Sequence, residues 1–164
     1  MAGRSNKEIT HKDLRRLGEI AEVDRLSHFS LHPETGKLYS NRLFAVALCQ
    51  GAAIHFVDGK TGIKDFDVWS FYRASPKRMF PPRRRRKADY GNPKFGKTET
   101  NPDLVGRRVD LMGRSITSSN YSDPVEVLRR YLRAKKTKTA KLLSQKAVIL
   151  IEPPHLLGTI VWPE

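Results

Sequence analysis

Three acidic residues stand out by type and spacing: Asp65 and Asp67, separated by Phe66, and Asp110 within the run Arg107 to Leu111. Side chains two apart on a strand leave the same face roughly 7 Å apart, so Asp65 and Asp67 point together while Phe66 and Val68 turn towards a core. If the strand carrying Asp110 pairs beside the first, three carboxylates share one patch and repel one another until cations offset their charge. Hard oxygen ligands of this kind suit magnesium or manganese completed by substrate phosphates, and a two-ion site needs bridging carboxylates because its metals sit roughly 3.5 to 4 Å apart. The same letters also suit ordinary polar positions on a half-exposed strand, and a short Asp-x-Asp pattern alone does not decide between the two.

Other chemistry is less well supported. Gly91 to Thr98 satisfies the phosphate-loop pattern letter for letter, but it is preceded by Arg83 to Asp89 and followed by Glu99 to Pro102 rather than flanked by a buried strand and a helix. Cys49 is the sole cysteine and lies in an apolar run without a neighbouring base, and the five histidines lack zinc spacing around it. A disulfide framework and a structural zinc module are thereby set aside.

The elements that must position the acids follow from periodicity. His11 to Leu26 carries Leu14, Leu17, Ile20, Ala21 and Leu26 among charged residues, which predicts an amphipathic helix with one buried stripe. Ser30 to Ser40 is rich in turn formers and reads as a connection. Leu43 to Val57 is almost wholly apolar with Gly51 in its middle, predicting a strand, a tight turn and a buried helix closed at Asp58 to Gly62. Ile63 to Tyr72 and Arg107 to Ile116 read as strands. Asp123-Pro124 opens a helix, with the aspartate as cap and the proline at the first position. Ala147 to Ile151 is a short apolar strand stopped by Glu152-Pro153-Pro154. Between these, residues 75–102 form a long basic, Pro-rich surface loop in this reading. Helices and strands alternating through residues 1–164 predict a single α+β domain of α/β-like character, a mixed sheet with helices packed against it.

The 31 Lys and Arg against 17 Asp and Glu give a net charge of +14, which favours a polyanionic partner through counterion release and steering. RNA or another polyanion is the expected partner, with Arg83, Arg84, Arg85, Arg86, Arg107 and Arg108 as phosphate contacts and the tract Arg129 to Lys146 as a further basic stretch. Tyr90 and Phe95 beside the arginine cluster are candidates for stacking on unpaired bases. The chain has neither an apolar stretch approaching a membrane span nor an apolar centre within Met1 to Lys12, so no membrane association and a cytoplasmic setting are expected.

Taken together, Leu48 to Val57, the turn at Gly59 and Lys64 to Val68 resemble the signature of the nucleotidyltransferase superfamily, in particular the branch containing AbiEii-type toxins. There a Gly-Gly-x-Ala stretch precedes an Asp-x-Asp strand. Gly51 matches the second glycine, Ala53 the alanine, Asp65 and Asp67 the acid pair, and Asp110 the third acid, while Gln50 stands where the family has its first glycine. The resemblance covers Phe44 to Leu111. It implies a nucleotide site at Gln50, Gly51 and Lys64, a magnesium site at the three catalytic aspartates, and transfer of a nucleotidyl group from a nucleoside triphosphate to a hydroxyl of RNA or protein. Membership of a toxin–antitoxin pair, with an antitoxin as partner, is a further implication. Because of Gln50, a non-catalytic, basic nucleic-acid-binding module that keeps the fold stands as the alternative.

Overall fold

The computed structural model describes residues 3–81, 86–98 and 103–164. Its centre is a six-stranded mixed sheet in the order β3-β4-β2-β1-β5-β6, formed by Leu43–Cys49 (β1), Phe66–Arg73 (β2), Arg86–Asp89 (β3), Arg108–Ile116 (β4), Val148–Glu152 (β5) and Ile160–Trp162 (β6). Within it β2 and β4 are parallel, whereas the other neighbours are antiparallel. Among the described residues five α-helices pack around the sheet: His11–Leu31 (α1), Pro33–Tyr39 (α2), Gln50–Asp58 (α3), Pro124–Ala134 (α4) and Lys138–Leu143 (α5). The expected α+β class is the one observed.

Strand alternation divides the core into two. Val46 and Leu48 of β1, Phe66 and Val68 of β2, and Val109 and Leu111 of β4 face α1 and α3 and join Leu14, Leu17, Ala52 and Ala53. Their sequence neighbours Ala45, Ala47, Trp69, Phe71 and Ile116 face α4 and α5 and join Val127, Leu128, Leu132 and Leu143. The result is three layers, helices on both sides of one sheet. α1 begins with a reciprocal cap between Thr10 and Asp13, and it lies so close to β5 that a Cβ on Gly18 would come within 2.9 Å of Ile151. Among the described residues no helix is long and apolar enough to cross a membrane.

Three expectations are corrected. The connection at Ser30 to Ser40 contains α2, because Pro33 sits at its first turn and Tyr39 is buried against Tyr72 and Phe80. Leu26 lies off the buried stripe of α1 and is exposed. The described parts of 75–102 hold β3 on the edge of β4 and bury Phe80, Tyr90 and Phe95. Tyr90 and Phe95 pack on Phe66 with ring centroids 5.4 and 5.1 Å away, so neither presents a face to a base. Their spacing has no helical or strand period, which is why sequence alone read this segment as a surface loop.

Candidate metal centre

The acids meet where three elements end or begin. β2 and β4 run parallel with Asp67 directly opposite Asp110, and Asp65 is the residue before the first position of β2. Carboxylate oxygens of Asp65, Asp67 and Asp110 lie within 4.8 Å of one another. On the other side of β2, Cys49 at the end of β1 is the register partner of Asp67, so the turn Gln50-Gly51 that opens α3 is next to the acidic ends of the strands. Asp110 is fully buried, whereas Asp65 and Asp67 are half-buried and open the cluster to solvent. Three hard oxygen donors from three residues fit an oxygen-loving divalent cation, which takes one or two carboxylates and completes its shell with water and phosphate.

The surrounding charges are arranged around these acids. Arg108 leaves the same face of β4 as Asp110, and its Nε donates to Asp110 Oδ1 at 2.7 Å. Burial, followed by the charge of Asp67, pushes the Cys49 thiol well above its ordinary value, so Cys49 is an inert neighbour of the centre. Arg107 is buried, and its guanidinium donates to the carbonyls of Phe95, Lys64 and Gly3 at 2.5 to 3.1 Å. Burial pulls its proton affinity down, opposed by the negative charge of Asp65. Through the Lys64 carbonyl, Arg107 holds the peptide that leads into Asp65. Thr98 adds a second tie, since its hydroxyl donates to the Lys64 carbonyl at 3.4 Å and accepts from the Arg108 amide at 2.9 Å.

The turn at α3 has two features of its own. Gln50 adopts a positive φ of 64°, the left-handed region that favours glycine. Gly51 has open space around it: a Cβ there would meet nothing within 4 Å. Close packing of helix on sheet therefore does not require this glycine. No side chain caps the first turn of α3; the Gln50 amide donates to the Ala147 carbonyl at 3.2 Å, and the positive end of the helix dipole lies at this turn.

Of the other expected site residues, the Lys64 side chain is exposed beside Asp65 while its carbonyl is held by Arg107. Arg86 lies on β3 and pairs with Asp24 of α1 at 3.3 Å. Arg83, Arg84 and Arg85 lie outside the described residues. The structure thus pairs Arg108 with an acid of the cluster, takes Arg86 to Asp24, and commits Arg107, beside Asp65, to backbone carbonyls. The phosphate-loop match at Gly91 to Thr98 is centred on a single 3-10 turn, Pro93–Phe95, and its Thr98 hydroxyl is engaged as above. Sequence reasoning missed the positioning part played by Arg107, whose signal was only a second arginine next to the one that pairs with an acid. No family model, no curated protein and no solved structure matches the chain, so the site is read from its own geometry.

Proposed function

We propose that the protein is a metal-dependent nucleotidyltransferase acting on a hydroxyl of RNA or of a protein. The observation that supports this best is the convergence of Asp65, Asp67 and Asp110 within 4.8 Å beside the uncapped, sterically open turn at Gln50-Gly51. Asp65 and Asp67 hold magnesium or manganese together with the triphosphate, and Asp110 ligates from the buried side. The cation supplies charge neutralisation to the phosphates and lowers the proton affinity of the attacking hydroxyl. The open space at Gly51 lets backbone amides approach the triphosphate, with Lys64 at the mouth. In the reaction the acceptor oxygen bonds to the α-phosphorus, the bond from that phosphorus to the bridging oxygen breaks, and pyrophosphate leaves. The hydroxyl proton passes to a carboxylate of the cluster. A triphosphate substrate suits a cytoplasmic setting, and an enzyme of this kind would serve as the toxin of a toxin–antitoxin pair.

A second reading is favoured by one contact. Arg108 occupies Asp110 as an internal counter-ion, the arrangement expected if the fold is kept as a nucleic-acid-binding module without turnover. The test is to incubate the pure protein with each α-labelled triphosphate, magnesium or manganese, and total RNA or protein. Label transferred to a polymer by the wild type and lost in Asp65→Ala supports transfer. Absence of label with every triphosphate and metal, alongside intact RNA binding, supports the module.

A further inference from the structure

The phosphate contacts expected near the acids are largely engaged elsewhere, yet the same face of the sheet carries a second, differently charged region. A cleft of about 670 Å³ lies between the β2–β3 connection and α4, and Lys77, Arg78, Arg114, Arg130 and Lys136 line it. Among the described residues no carboxylate lines this cleft. Glu34 and Glu126 stand at its margins, pairing with Arg78 at 3.5 Å and Arg130 at 3.8 Å, pairs that are exposed and weak. Lys77 and Lys136 are exposed and have no carboxylate partner among the described residues. Arg114 is held in the wall, its guanidinium 5.8 Å from the Tyr131 ring and donating to Thr139 at 3.0 Å.

Position ties this cleft to the acids. Arg114 is four residues beyond Asp110 on β4 and leaves the same face, so about 13 Å of strand separates the cluster from the nearest wall of the cleft. Trp69 and Met112, register partners on β2 and β4, lie between the two. Five cations gathered along one cleft match the closely spaced phosphates of a single strand better than the widely spaced carboxylates of a folded acidic protein.

We propose that this cleft holds the phosphodiester backbone of a single-stranded nucleic acid whose end runs along β4 towards the three aspartates. Its meaning as an acceptor site rests on the transferase reading above, whereas its test reads binding alone. Fluorescence anisotropy of a labelled single-stranded RNA oligonucleotide, without metal or triphosphate, is followed across salt concentrations. Lys77→Glu/Lys136→Glu is expected to raise the dissociation constant at least tenfold and to reduce the slope of log affinity against log salt by roughly 1.4, the loss of two phosphate contacts. Lys12→Glu/Lys60→Glu, an equal charge change at exposed positions on α1 and after α3, is expected to stay within twofold of wild type. Equal weakening in both variants, or none in the cleft variant, would overturn the proposal. So would tighter binding of the matching duplex, or displacement of the RNA by poly-glutamate at lower charge concentration than by unlabelled RNA. Absence of nucleotidyl transfer by the wild type, with its RNA binding intact and still weakened by Lys77→Glu/Lys136→Glu, overturns the transferase reading and leaves the cleft standing.

Discussion

Asp13 and Asp110 are both buried carboxylates, and they live in opposite surroundings. Asp13 sits at the start of α1 and receives the Thr10 amide and hydroxyl at 2.8 and 2.9 Å, the Tyr90 hydroxyl at 2.5 Å and the Lys94 ammonium at 2.5 Å. Burial pushes its proton affinity up, but the bonds from Lys94, Tyr90 and Thr10 outweigh it and hold the carboxyl below the usual range. On Tyr90 the same pair acts in reverse, with burial and then Asp13 raising the phenol. Asp110 instead faces two further carboxylates within 4.8 Å, with Arg108 as its ion-pair partner at 2.7 Å. One carboxylate is surrounded by donors and ties a connection to a helix. The other belongs to a concentration of like charge that the fold alone does not need.

Four predictions break or sharpen this contrast. The largest effect is expected from Asp67→Asn, which removes one of the proposed metal ligands: if the chain is the transferase proposed, nucleotidyl transfer should fall by about 10³-fold or more in a labelled-triphosphate assay. Its thermal midpoint should not fall, since one repulsive charge is gone, and the rise in midpoint expected of the wild type on adding magnesium should be absent. A variant that is less stable and still responds to magnesium would contradict a cation role for this acid.

Next comes Arg107→Met, expected to cost about 3 kcal/mol in urea unfolding because the carbonyls of Phe95, Lys64 and Gly3 lose their donor in a buried place. Where the variant folds, transfer should drop through a misplaced Asp65, and Arg107→Lys should recover part of both losses.

Asp13→Asn has the opposite sign to Asp67→Asn in stability: about 2 kcal/mol lower, or roughly 4 to 8 °C in midpoint for a chain of this size. Since the folded carboxyl of Asp13 titrates below its ordinary value of 3.8, its contribution is present above that pH and is lost as pH falls through the lower, folded value. The gap between wild type and Asp13→Asn should therefore be constant above about pH 5 and close in acid, as read by denaturation at a series of pH values. The smallest change belongs to Gln50→Gly. Relief of a positive φ and the added freedom of the unfolded chain nearly cancel, so stability should move by no more than about 1 kcal/mol. Triphosphate affinity, measured by titration calorimetry, should be unchanged or improved.

How much of this was legible in the sequence depends on the range of the contacts concerned. The capped start of α4 at Asp123-Pro124 and the boundary between β1 and α3 come from local chemistry and agree with the sequence reading to within a residue or two. The alternation that turns Phe66 and Val68 to one core and leaves Asp67 on the other face was equally readable. The pairing of β2 with β4 was an assumption, because nothing in either strand names its partner. Tyr90, Phe95 and Arg107 escaped for the same reason: each is buried by residues distant in the chain, and a cationic or aromatic letter in a Pro-rich run carries no mark of its burial. The cleft is a further case. Lys77 and Arg78 precede β3, Arg114 lies on β4, and Arg130 and Lys136 come from around α4, so only the topology brings them together.

The parallel pairing of β2 and β4 has a consequence for how the protein comes into being. The hairpin-like neighbours β1 and β2 can form early from nearby segments, but a parallel partner has to return over the whole crossover of residues 74–107 before Asp110 comes beside Asp67. A chain emerging from the ribosome therefore carries two of the acids without the third until β4 has been made and has docked. The three-acid cluster is therefore assembled only once β4 has docked beside β2, and no shorter stretch of the chain brings the carboxylates together.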